Sequence, residues 1–203
     1  MNGLYGLKPW YTRRLSSIVT MAVAHRLSPD LFTAVGVAAA GAAAAAIGAG
    51  WWVLAAVFLA IRLAGANLDG AVARARNVSR PWGFVVNEIG DRSADLLAFA
   101  GLAVWAARQG GAGLHWLSWP VLGTLLAALA ASLPTFAALA GAAAGATRPN
   151  GGPLGKTERC LAIVVATAVP AGIGWISALI VTGSLLTAGT RLAGAHRALS
   201  EEQ

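Results

Sequence analysis

The chain has 203 residues, of which 57% are hydrophobic and 11% charged, with a formal net charge of +7. Soluble domains carry roughly 25% charged residues, so this composition excludes an ordinary soluble enzyme and points to an integral membrane protein. The single cysteine, Cys160, excludes an intramolecular disulfide and a cysteine metal cluster. The basic residues sit at the ends of apolar runs, which fits bilayer orientation and anionic lipid headgroups rather than nucleic acid.

Residues 4–26 mix Lys8, Trp10, Tyr11, Arg13, Arg14 and Arg26 with Leu, Ile, Val and Met. That mixture predicts an N-terminal interfacial amphipathic helix with aromatic and basic anchors. The polar opening lacks a signal-peptide pattern. Ser28-Pro29-Asp30 then punctuates the chain and suits the start of a helix. Six apolar spans follow, at roughly 31–49, 51–75, 85–107, 117–145, 156–173 and 175–193, each near the ~20 residues a helix needs to cross the hydrocarbon. The fourth is long enough to tilt or kink at Pro120 and Pro134. The expected fold class is an all-α membrane protein, six transmembrane helices preceded by the interfacial helix. A single domain is expected over 1–203, with an interfacial segment at 1–28, a six-helix bundle at 29–195 and a tail at 196–203.

Charge asymmetry predicts orientation. Lys8, Arg13, Arg14 and Arg26 precede the first span, and Arg74, Arg76, Arg80 and Arg92 flank the connection between the second and third. Arg148, Lys156 and Arg159 lie between the fourth and fifth, and Arg191 and Arg197 fall at or after the end of the sixth. These residues share one side, whereas the other side carries Arg108. The positive-inside rule makes the first side, with both termini, cytoplasmic.

Asp69, Glu88, Asp91 and Asp95, half of the eight acidic residues, fall between Arg62 and Asp95. Ionisable groups beside membrane-grade sequence are costly, so they signal function by default. Asn87, Asp91 and Asp95 are spaced i, i+4, i+8 and form one stripe on a helix. If the second and third spans are antiparallel neighbours, Asp69 faces Asn87 and Asp91. An oxygen cluster without His or Cys suits a hard cation such as Mg²⁺ or Mn²⁺, and the adjacent arginines suit phosphate. The combination points to phosphoryl chemistry at the headgroup level. Arg62 lies deeper in its span, where it either pairs with an acid or meets substrate.

The residues Asp69-Gly70, Ala73-Arg74, Gly83 and Asp91 stand at the spacing of the pattern Asp-x2-Asp-Gly-x2-Ala-Arg-x8-Gly-x3-Asp-x3-Asp. This resembles the CDP-alcohol phosphotransferases, six-helix membrane enzymes of phospholipid synthesis. Pro29-Asp30, followed by Thr33 and Gly36, is similar to that family's Pro-Asn-x-Leu-Thr-x2-Gly sequence at its first span. The resemblance implies transfer of a phosphatidyl group from a CDP-linked lipid donor, usually CDP-diacylglycerol, to an alcohol acceptor with release of CMP. It implies a divalent cofactor, Mg²⁺ or Mn²⁺, with Asp69 as a ligand and Asp91 as the base on the acceptor hydroxyl. Gly70 and Gly83 would admit close approach of the nucleotide, and Arg74 would sit near the phosphates. The family's habit of forming homodimers extends the expectation to this chain.

Two positions depart from the pattern. Ala66 and Asn87 stand where the family has aspartates. Four carboxylates balance two divalent ions; here Ala66 offers no ligand and Asn87 a neutral carbonyl. Glu88, one position off the stripe, and Asp95 are the candidates to restore charge, so the expected metal set is Asp69, Asn87, Asp91 and Glu88. Asn67 is a poorer substitute, because two residues on a helix turn the side chain by about 200°. The departures keep open a family member that binds lipid or nucleotide without turnover. A transporter would show midplane polar residues and an internal repeat, which this sequence lacks. Gly155-Lys156-Thr157 has neither the spacing nor the preceding strand of a phosphate-binding P-loop. Lys156 and Arg159 remain candidates for an acceptor phosphate.

Overall fold

The computed structural model describes residues 11, 13–111, 113–149 and 151–201. Lys8 and Trp10 of the expected interfacial segment lie outside them. The described residues are helical, without strands, and fall into two compact units, one ending at Trp105 and the other beginning at Ala106.

The first unit holds α1 (Ser16–Ala24), α2 (Pro29–Gly48), α3 (Trp52–Ala75) and most of α4 (Pro81–Arg108). Local chemistry sets their ends. Ser28 is extended at the N-cap of α2, Pro29 takes the first turn where its missing N–H costs nothing, and Asp30 adds an acid there. Three of these helices end in the same paired hydrogen bonds. At the end of α2, Trp51 N–H reaches Ala46 O and Gly50 N–H reaches Ile47 O, with Gly50 at φ +77°. Asn77 (φ +54°) ends α3 and Arg26 (φ +52°) ends α1 in the same way. This double closure needs a left-handed residue, which Gly adopts freely, Asn tolerates and Arg resists.

Small residues let these helices approach closely. A Cβ added to Gly65 of α3 would lie 2.6 Å from the Phe32 carbonyl oxygen of α2. A Cβ on Gly101 of α4 would lie 2.5 Å from the Ala44 carbonyl oxygen, and one on Gly90 would lie 2.6 Å from Thr33 Cγ2. Glycine at such contacts is the usual solution in lipid, where packing drives helix association. Leu15, Ile18, Val19 and Ala22 pack with Phe32, Leu68 and Val72, so α1 closes an apolar layer where α2 meets α3.

The second unit holds α5 (Trp119–Ala143), α6 (Lys156–Ala168), a 3₁₀ turn (Pro170–Gly172) and α7 (Ile173–Glu201). Pro120 falls in the first turn of α5, whereas Pro134 lies inside it. The segment before α6 is seated on α7. Thr187 Oγ1 accepts the Leu154 N–H at 3.1 Å, and Arg191 donates to the carbonyls of Gly151 and Pro134.

Four stretches are long and apolar enough to cross a membrane: Pro29–Gly48, Trp52–Ala75, Trp119–Ala143 and Pro170–Glu201. The expectation of six spans is therefore met in part. The segment expected at 85–107 is helical as α4, but it carries Glu88, Asp91, Arg92 and Asp95. The segment expected at 156–173 gives only 13 residues of α-helix before Pro170 interrupts it. Along α5, Leu122, Leu125, Leu126, Leu129 and Phe136 are exposed, a face suited to acyl chains. The chain is an integral membrane protein.

Candidate active site

Asp69 lies on the last two turns of α3, buried and facing α2 and α4. Three donors converge on it. Thr33 Oγ1 of α2 donates to Oδ2 at 3.0 Å, Asn87 Nδ2 of α4 donates to the same oxygen, and its neighbour's Gly70 N–H donates to Oδ1 at 2.5 Å. A carboxylate fixed by three helices is poorly placed to move, and α2 is tied to both α3 and α4 by the glycine contacts above. Asp91, one turn beyond Asn87, is near enough for its charge to act on Asp69.

Beside Asp69 opens a cavity of about 620 Å³, whose lining includes Thr33, Ala66, Asp69, Gly70, Gly83 and Asn87. Arg26, Arg74, Arg76 and Arg80 also border it, giving a basic wall opposite a single buried acid. Arg76 donates to the Leu27 carbonyl oxygen at 2.5 Å, and Arg80 pairs with Asp30. Both arginines tie the connection after α3 to the start of α2. The Arg74 guanidinium folds over Gly70, where an added Cβ would come within 3.2 Å of it. Glycine at 70 and 83 keeps both borders low.

The expected residues are thus partly gathered. Asp69, Asn87, Gly70, Arg74 and Gly83 meet at the cavity. Asp91 and Glu88 are half-buried on α4 and do not line it. Lys156 and Arg159 belong to the second unit, on the first turn of α6, where Glu158 accepts the Gly155 N–H at 3.0 Å. Asp95 is not a spare carboxylate. It is buried between Arg62, at 2.5 Å, and Arg92, at 2.9 Å. Asn67 turns back to the Leu63 carbonyl of its own helix at 2.8 Å, in keeping with its poor spacing.

Sequence reasoning gave Thr33 no role at the site. Its place four residues after Pro29, on the first turns of the preceding helix, was visible, but its partner Asp69 is 36 positions away.

Among the described residues no three His, Cys, Asp or Glu side chains form a metal-binding group. Asp69 brings one carboxylate and Asn87 one amide, whose oxygen would replace its nitrogen if the amide turned over. That donor set lacks the charge for two divalent ions and is compatible with one.

The sequence profile of the CDP-alcohol phosphatidyltransferases matches residues 26–188. A phosphatidylinositol phosphate synthase of Mycolicibacterium smegmatis is 30% identical over 158 residues, covering 76% of this chain and 68% of that one. The crystal structure of the Mycobacterium tuberculosis phosphatidylinositol phosphate synthase with CDP-DAG bound is similar, with a TM-score of 0.74 and 25% identity, over 90% of this chain and 94% of that one. The same enzyme in complex with manganese and citrate gives a TM-score of 0.73 at 24% identity, over 88% and 87%. The pattern around Asp69, the three helices that hold it and these matches agree: the chain belongs to the CDP-alcohol phosphatidyltransferase family.

Proposed function

We propose that this chain transfers a phosphatidyl group from CDP-diacylglycerol to the hydroxyl of an alcohol acceptor, releasing CMP. The observation that carries the reading is the fixed carboxylate of Asp69 at the edge of an arginine-bordered cavity. The pyrophosphate of the donor enters beside Asp69, with Gly70 and Gly83 admitting it and Arg74 pairing with its oxygens. Asp91 takes the acceptor proton as general base. Asp69 and Asn87, with Asp91 and Glu88 reaching in from α4, would hold one Mg²⁺ or Mn²⁺. When bound, that ion offsets charge on the transferring phosphoryl group. Lys156 and Arg159 serve an acceptor phosphate, in keeping with a relative named phosphatidylinositol phosphate synthase. In the proposed topology α2 to α7 provide six crossings, α6 together with the turn at Pro170–Gly172. The basic connections make the cavity and both termini cytoplasmic. Segment α1 lies along the interface, its apolar side on α3.

The test is CMP release from CDP-diacylglycerol by the purified protein, with Mg²⁺ or Mn²⁺, across acceptors that include inositol phosphate and glycerol 3-phosphate. Release with one acceptor supports the reading; none with any acceptor or metal sinks it. A second reading is a member that binds the donor without turnover. In its favour, neutral Ala66 and Asn87 leave Asp69 surrounded by hydrogen-bond donors. Saturable binding of CDP-diacylglycerol with no CMP release establishes that alternative.

A further inference from the structure

We infer that Arg62 is a positioning residue: it sets the register of α4 against α3 and thereby holds Asp91 in place. The consequence for turnover rests on the function proposed above; the register claim does not. Arg62 and Asp69 are seven residues apart on α3, about two turns, and share a face. Asn87, Asp91 and Asp95 form the facing stripe on α4. Polar contacts cross between these stripes at both ends. Near the cavity Asn87 donates to Asp69. Two turns deeper Arg62 Nη2 donates to Asp95 Oδ1 at 2.5 Å.

Asp91 sits midway, four residues from each crossing contact on α4. On α3 the position between these contacts is Ala66. The contacts at Asn87 and Asp95 bracket Asp91 from above and below. Arg62 also touches Asp91 directly, through Nη2 to the Asp91 backbone oxygen at 3.4 Å. One guanidinium thus spans two successive turns of α4, at Asp91 and Asp95. Its side chain is 2% exposed and that of Asp95 5%, so neither is a solvated surface charge. Arg92 acts differently. It reaches Asp95 Oδ2 from three residues away on the same helix, so this contact does not cross to α3. Arg92 also keeps Asp95 balanced when Arg62 is neutralised, which makes Arg62→Met a fair probe of register rather than of an orphaned charge.

The experiment compares Arg62→Lys, Arg62→Met and Arg92→Lys in the full chain. Displacing a reacting group by about 1 Å costs up to roughly 100-fold. Arg62→Lys keeps the charge but its shorter, non-planar head does not place a donor where Nη2 meets both turns. It is expected to lower kcat about 10-fold or more, with the KM for CDP-diacylglycerol within about twofold. Arg92→Lys is expected to keep kcat within about twofold. The double swap Arg62→Asp with Asp95→Arg restores the crossing pair and is expected to recover kcat over Arg62→Asp alone. Register is read independently by pulsed electron resonance between spin labels at Ile61 and Leu96, both exposed on α3 and α4, in a Cys160→Ala background. Arg62→Met is expected to shift or broaden a narrow wild-type distance distribution. An unchanged distribution, or kcat and KM changing together in step with thermal stability, overturns the inference. If wild type releases no CMP, the proposed function fails and the distance distributions still decide the register claim.

Discussion

Gly65 and Gly36 face each other where α3 crosses α2, yet they differ in what a methyl group would meet. A Cβ on Gly65 comes to 2.6 Å from the Phe32 carbonyl oxygen, 3.0 Å from Gly36 Cα and 3.1 Å from Gly36 N. All three are backbone atoms that cannot turn aside. A Cβ on Gly36 meets nothing closer than the Arg62 carbonyl oxygen at 3.5 Å, an ordinary contact. Overpacking costs about 1–3 kcal/mol, and Gly to Ala in a helix returns about 1 kcal/mol. Gly65→Ala is therefore expected to lose about 1 kcal/mol net, and Gly36→Ala to gain up to about 1. That separation of about 2 kcal/mol corresponds to about 4–8 °C in Tm for a chain of this size. Thermal unfolding of the purified variants in detergent, followed by tryptophan fluorescence, measures it. Equal Tm values for the two variants would refute the close-approach argument.

Three further outcomes follow from the site. Gly90→Ala drives a methyl into Thr33 Cγ2 and is expected to lower activity at least 10-fold by turning Thr33 Oγ1 from Asp69. Adding Thr33→Ser, which removes that methyl and keeps the hydroxyl, should restore most of it; a double variant as impaired as the single one contradicts the mechanism. Arg26→Gly relieves the left-handed backbone at φ +52° and is expected to raise stability by about 1 kcal/mol. Because Arg26 borders the cavity, the same variant should raise the KM for CDP-diacylglycerol; an unchanged KM removes Arg26 from the binding surface. Glu88→Gln is expected to raise the half-saturating Mn²⁺ concentration about 10-fold, read by Mn²⁺ binding, and no change excludes Glu88 as a ligand.

Helices were legible where local chemistry decides them. The Gly48-Ala49-Gly50 sequence marks the end of α2 because Gly50 can take the left-handed turn there. The Asn87, Asp91, Asp95 stripe and its approach to Asp69 follow from helical spacing once α3 and α4 are taken as neighbours. What escaped depends on contacts between distant positions. Asp95 looked like a spare ligand because its spacing along α4 matches that of Asp91; its use by Arg62 is set 33 residues away. Thr33 stood in a recognisable motif, but its hydrogen bond to Asp69 exists only once α2 and α3 cross. The expected span at 156–173 passed over Pro170, which cannot continue the α-helical hydrogen bonding and converts its end to a 3₁₀ turn.

In the proposed function the facing ends of α3 and α4 perform CDP-dependent transfer with two of the family's aspartates replaced. Its most direct test is CMP release by wild type and by Asp91→Asn, matched for folding and for CDP-diacylglycerol binding. Wild type is expected to show metal-dependent release, and Asp91→Asn to lose at least 100-fold with donor binding retained. Equal release from the two proteins, or binding without release from wild type, contradicts it.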